Sequence, residues 1–120
     1  MMSEQRLENI RKEQKGIEKK QEELYIRQRS VDRLNDGIGM YFRQTQQLLQ
    51  KTREIFRKND GGRDFDELYS FFSRDAGKTM EMFGEEKREI KRAQQRLGEQ
   101  EYSLIKEKKK IHSKEKNNER

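Results

Sequence analysis

The stretch LENIRKEQKGIEKKQEELYIRQRSVDRLNDGI, residues 7–38, decides the fold. Ile10, Ile17, Leu24, Val31 and Ile38 recur every seven residues. Leu7 stands three before Ile10, and Leu34 stands three after Val31 and four before Ile38. That 3-4 alternation is the seam of an α-helix that buries one narrow stripe against another helix. A strand would need alternation with period two. The residues between seam positions are mostly charged, as on a solvated helix face. Ser3 is placed to N-cap the helix. The apolar stripe continues through Tyr41, Phe42, Leu48, Leu49, Ile55 and Phe56. The first helix is therefore expected from about residue 4 to about residue 58.

A second seam of the same period follows. Tyr69, Ala76, Phe83, Ile90, Leu97, Leu104 and Ile111 are seven apart, and Phe65, Leu68 and Phe72 add apolar width at its start. Between the seams lies Asn59-Asp60-Gly61-Gly62-Arg63-Asp64. Gly61 or Gly62 can adopt the left-handed conformation that closes a helix. Asp64, with Glu67 three residues on, resembles an acidic capping box. A turn is expected at 59–64, a second helix from about 65 to about 112, and a frayed polar tail at 113–120. Ile38 with Phe83, Val31 with Ile90, Leu24 with Leu97, Ile17 with Leu104 and Ile10 with Ile111 are equidistant from the point between Asp60 and Gly61. Folding back at the turn would bring each pair to one level. The fold class expected is all-α, a coiled-coil-like antiparallel two-helix hairpin over residues 1–112, able to form a four-helix bundle with a partner.

Composition agrees. The chain is 28% hydrophobic and 43% charged, against about 45–50% and about 25% in average globular domains. A thick core is excluded by that balance, but paired helices need only their stripes. There is no proline to break a long helix and no cysteine for a disulfide or thiolate chemistry. The only histidine is His112, in a lysine-rich segment, where a solvated role is expected. No apolar run approaches the roughly 20 residues that span a bilayer. The N-terminal MMSEQRLENIRKEQ lacks the apolar core of a signal peptide. A cytoplasmic protein is expected, with export alongside a partner as the alternative.

The net charge of +6 is not spread evenly. Residues 31–102 carry fourteen basic and fourteen acidic side chains, so the excess lies toward the two ends. The one basic run, Lys106-Glu107-Lys108-Lys109-Lys110, has no interleaved aromatic residues. It lacks the stacking platform of a single-strand binder, so nucleic acid is not the expected partner. Neither HExxH, a P-loop, GxGxxG nor a nucleophile elbow is present. The carboxylates Glu85-Glu86 and Asp64-Asp66-Glu67 read as solvated faces and helix-dipole caps. No enzymatic activity, cofactor or metal site is expected.

The halves differ in chemistry. Eight of the ten aromatic residues lie between Tyr41 and Phe83. In the other half, Leu7 begins a row that continues as Gln14, Gln21, Gln28 and Asn35, opposite Lys87, Gln94, Glu101 and Lys108. Polar seam positions lower stability but fix register. Near the turn the apolar residues come in adjacent pairs, Leu48-Leu49, Ile55-Phe56 and Phe71-Phe72, whose members point to different faces. One member of each pair can fill the hairpin and leave the other outside. The candidate partner-binding residues are Tyr41, Phe42, Leu48, Leu49, Ile55, Phe56, Phe65, Leu68, Phe71 and Phe72. The glycines Gly37, Gly39 and Gly84 suggest a close approach of the helices, a slight bend or a hinge, and Asp75-Ala76-Gly77 marks a second place for a break.

The segments QEELYIRQRSVDRLNDGI (21–38), YFRQTQQLLQKTREIFRKNDGGRDF (41–65) and EEKREIKRAQQRL (85–97) resemble the LXG-associated small α-helical proteins of the Gram-positive type VIIb secretion system, relatives of the WXG-type hairpins. The resemblance implies a targeting factor or chaperone. It would bind the helical N-terminal domain of an LXG toxin, alone or with a second small helical protein, and aid its export. It also implies reading Phe71 and Asp75 as an aromatic-x-x-x-acid export motif. Asp60-Gly61-Gly62 stands where WXG-type hairpins carry Trp-x-Gly, which favours an accessory partner over a WXG-type substrate. The alternative expectation is a self-associating homodimeric four-helix bundle.

Overall fold

A computed structural model describes residues 2–57 and 61–118. The fold is all-α, an antiparallel helical hairpin of α1 (Met2–Ile55) and α2 (Gly61–Asn118). No strand occurs among the described residues.

The ends of the helices correct the sequence boundaries. Ser3 lies inside α1, which begins at Met2 rather than at about residue 4. At its other end α1 stops at Ile55. The Phe56 amide still donates to the Thr52 carbonyl at 3.2 Å, and the Arg57 amide donates to the Glu54 carbonyl at 3.4 Å. The second bond, with its three-residue spacing, tightens the last turn, and together the two bonds serve two carbonyls left over by the helix. α2 begins at Gly61, so the expected turn at 59–64 is shorter, and Asn59 and Asp60 fall outside the described residues. No described residue has a positive φ. Gly61 and Gly62 thus open a helix instead of closing one, and Asp64 lies in its first turn, where a carboxylate suits the dipole. α2 also runs on past residue 112 to Asn118. Nothing there breaks a helix, Lys116 complements the last turn, and His112 Nδ1 stands 3.8 Å from Glu115 Oε2, one turn on. Both helices are continuous through their interior glycines. A Cβ built at Gly37 or Gly39 meets no neighbour within 4 Å, and one at Gly84 meets only the tip of Arg88, at 3.5 Å. Close helix approach is therefore not what these glycines serve, and α2 has no break at Asp75-Ala76-Gly77.

The chain divides into two compact units. The terminal unit comprises Met1–Gln28 and Glu89–Arg120; the turn unit comprises Arg29–Arg88.

In the terminal unit, Ile10, Ile17, Leu97 and Leu104 form one buried cluster, with Leu24 and Ile111 packed against it. These are the mirror-related residues of the two heptad seams. Burying each such side chain is worth about 1.5–3 kcal/mol. The polar row pairs as well. Gln21 Nε2 donates to Glu101 Oε2 at 2.9 Å, and Gln94 Nε2 donates to Gln28 Oε1 at 3.0 Å. Both pairs keep the expected mirror to within one residue. At the far end of this unit Arg6 grips Glu107, with Nε 2.6 Å from Oε1 and Nη2 2.8 Å from Oε2. This bidentate pair holds the Glu107 carboxyl below its usual range.

The turn unit is held by aromatics. Phe42 meets Phe72 edge to face, with centroids 5.6 Å apart, and Phe56 stacks on Phe65 at 5.2 Å. Gln46 Nε2 donates to the Tyr69 hydroxyl at 2.6 Å, which lowers the phenol's pKa. Asp32 pairs with Lys87 at 3.2 Å and Arg53 with Asp66 at 2.5 Å. The midpoints of these five pairs fall between residues 57 and 61, about residue 59 on average. The register of this unit is thus one to two residues short of the mirror point read from the sequence.

Candidate helix-docking surface

The inward row of α1 in the turn unit is Asn35, Ile38, Phe42, Gln46 and Leu49, all half-buried. That of α2 is Phe65, Tyr69, Phe72, Ala76 and Phe83, also half-buried. These rows divide the pairs Leu48-Leu49 and Phe71-Phe72, but not Ile55-Phe56. Phe42, Leu49, Phe65 and Phe72 face their own neighbours. Leu48, Tyr41, Leu68 and Phe71 are exposed, Leu48 at 64% and Phe71 at 62%. Ile55 is exposed at 75%, and Phe56, although it stacks on Phe65, is also exposed.

The outward residues form a pattern of their own. Leu34, Tyr41, Leu48 and Ile55 are all exposed and recur every seven residues. Three of them stand one position before Asn35, Phe42 and Leu49. On α2 the exposed Leu68, Phe71 and Met82 stand one position before Tyr69, Phe72 and Phe83. A step back of one residue is a rotation of about 100° about the helix axis. Both stripes turn away from the inward rows in the same rotational sense. In an antiparallel pair, equal rotations of that kind bring the two stripes to the same side of the hairpin. Seven large apolar side chains thus line one flank of the turn unit. The other flank is notched by Gly39, Ala76 and Gly77, and projects little apolar bulk besides Met80.

The sequence had placed Leu34 in the seam, but it belongs to the exposed row. Met82 was absent from the candidate residues. The signal for Leu34 was a second apolar heptad row, offset by one residue from the buried one; on α2 the corresponding row, Leu68-Asp75-Met82, is broken by Asp75. Phe71 and Asp75 are both exposed and lie one helical turn apart. The ion pairs Arg6–Glu107, Asp32–Lys87 and Arg53–Asp66 carried no distinctive sequence signal among so many charges.

The terminal unit offers less. Tyr25, Ile26, Tyr102 and Ile105 are exposed, and Lys106 Nζ caps the Tyr102 ring at 5.1 Å. An open groove there is lined by Arg6, Glu13, Lys20, Arg96 and Glu107 beside Ile17 and Leu104. Among the described residues there is no cluster of three or more side chains able to hold a metal ion. Nor is any described helix long and apolar enough to cross a membrane.

Residues 5–111 match the model of a protein family of unknown function, DUF3958. The chain belongs to the DUF3958 family. The match takes in nearly all of both helices, and with them every residue of the apolar flank. No curated protein and no solved structure matches this DUF3958 chain.

Proposed function

We propose that this protein is a noncatalytic adaptor whose turn unit docks a helical partner, specifically the helical N-terminal domain of an LXG-type toxin destined for type VII export. The observation that carries the reading is the apolar flank built by Leu34, Tyr41, Leu48, Ile55, Leu68, Phe71 and Met82. An exposed apolar strip of this kind, interrupted on α2 by Asp75 and Lys78, marks an interaction site. Its heptad spacing on α1 suits a helix lying along the hairpin, with side chains at i, i+3, i+4 and i+7 entering between the two stripes. Alternation of buried and exposed apolar residues leaves the hairpin intact when the partner leaves. The likeness of residues 21–38, 41–65 and 85–97 to the LXG-associated proteins supplies the toxin as that partner.

The terminal unit, on this reading, holds the helices in register through Gln21–Glu101 and Gln28–Gln94. Phe71 lies on the docking flank itself, so a docked partner and the secretion machinery would compete for the Phe71–Asp75 motif. The protein acts in the cytoplasm and accompanies its partner to the exporter.

Co-expression tests the proposal. The chain should co-purify with a genomic neighbour that has a long helical N-terminus, and Leu48→Asp should abolish the capture. Capture that survives Leu48→Asp and Phe71→Asp together would place the contact elsewhere.

A further inference from the structure

The charges that border the apolar flank are not symmetric. On α1 its outer edge carries Arg33 and Lys51 against a single acid, Glu54, all exposed. On α2 its outer edge carries Glu67, Glu81 and Glu85 against a single base, Arg74, all exposed, so the α1 edge is net basic and the α2 edge net acidic. With the mirror point of the turn unit near residue 59, Arg33 lies at the level of Glu85 and Lys51 at the level of Glu67. Within one hairpin these residues sit on opposite outer edges and point apart, so they do not neutralise one another there.

We propose that the flank is self-complementary and that a second copy of this chain covers it, in a dimer whose two-fold axis runs along the hairpin. Rotation about that axis lays α1 of one protomer over α2 of the other while keeping every residue at its own level. Arg33 then meets the partner's Glu85, and Lys51 meets the partner's Glu67, each contact occurring twice by symmetry. Leu48 comes to the level of the partner's Phe71. Met82 meets the open space beside the partner's Gly37, where a Cβ would touch nothing. The alternative face-to-face dimer, with its axis across the hairpin, sets α1 on α1 and α2 on α2. That arrangement brings basic edge to basic edge and acidic edge to acidic edge, which costs affinity.

The area is sufficient. At roughly 100 Å² of exposed apolar surface per side chain, the seven residues offer about 700 Å² per copy. Stable protein complexes bury roughly 600–1,000 Å² per partner. The apolar residues supply the affinity, and the exposed ion pairs select the orientation. The inference stands apart from the adaptor reading: a self-dimer would mask the same flank until a heterologous helix displaces the second copy.

Sedimentation of the full chain tests it, using Lys51→Glu, Glu67→Lys and the two combined in one chain. The parent chain is expected to dimerise. Each single reversal should weaken the dimer on the order of tenfold, since it replaces two attractions by two repulsions. The combined variant should return to near the parent affinity, because both pairs re-form with signs exchanged. Melting of helicity should be unchanged in all three, which separates the effect from misfolding. A parent chain that stays monomeric through the micromolar range overturns the proposal. So does a combined variant as weak as the sum of its parts. Neither outcome bears on capture of a toxin domain, which is measured separately.

Discussion

Phe42 and Phe72 meet edge to face inside the turn unit, and their chain neighbours Tyr41 and Phe71 stand exposed on its flank. One contact thus assigns both helices: the residue in the contact is core, and the residue before it is surface. The sequence could not divide these pairs, and gave Leu49 and Phe72 as partner contacts on equal terms with Leu48 and Phe71.

Phe72→Ala and Phe71→Ala should therefore separate cleanly. The first loses a half-buried ring and should cost about 2 kcal/mol, less than the roughly 3–5 kcal/mol of a fully buried phenylalanine. The second removes an exposed ring and should change stability by no more than about 0.5 kcal/mol. Urea unfolding followed by circular dichroism measures both. Equal losses would mean that the two rings share the core.

The clasp between Arg6 and Glu107 gives the terminal unit a pH dependence. Glu107 titrates below its unfolded value because Arg6 hydrogen-bonds its carboxylate. A depressed acid contributes stability that is fully present above its unfolded pKa, about 4.3 for glutamate. That contribution fades as pH falls through the lower folded value. Thermal melts should lose stability below about pH 4.3 more steeply in the parent chain than in Arg6→Gln. Identical pH profiles would show that the pair does not couple to folding.

The glutamine pair Gln28–Gln94 should behave non-additively. Gln28→Leu alone strips the Gln94 amide of its acceptor and should cost up to about 1 kcal/mol. Leucine at both positions should recover that loss and raise the melting temperature, because an apolar seam is stronger than a polar one. The expected cost is in register, which a polar pair helps to fix. A double-mutant cycle measures the coupling, and simple additivity would count against a direct contact.

Gly39 and Gly77 have open space where a Cβ would stand. Alanine at either should stabilise the hairpin by roughly 0.5–1 kcal/mol through helix propensity alone. A loss of stability at Gly39→Ala would restore the sequence expectation of a close approach there.

The hairpin was legible because its physics is periodic. Ile10, Ile17, Leu97 and Leu104 occur at helical spacing on both sides of one turn, and burial of mirror-related residues follows from folding back. The same spacing set Gln21 and Glu101 on facing polar rows, and the structure pairs them one residue off the mirror. The helix ends were less legible. Gly61 and Gly62 serve a left-handed cap or a first turn equally well, and only the backbone decides. The apolar flank was half legible. Width near the turn was visible, but Leu34 fits two heptad rows, and choosing between them requires the rotation of α1 about its own axis. That rotation is fixed by contacts such as Phe42–Phe72, between residues far apart in sequence.

The adaptor account turns on the flank rather than on the seam, and calorimetric titration against the helical N-terminal domain of an LXG-type toxin tests it most directly. Leu48→Asp with Phe71→Asp should weaken binding by about 100-fold or more, as loss of two central contacts does, with the helical melt unchanged. Leu24→Ala, which packs against the terminal core, should lower the melting temperature and leave affinity below the melt near that of the parent chain. Parent-like affinity in the flank variant, or no binding by the parent chain itself, would contradict the account.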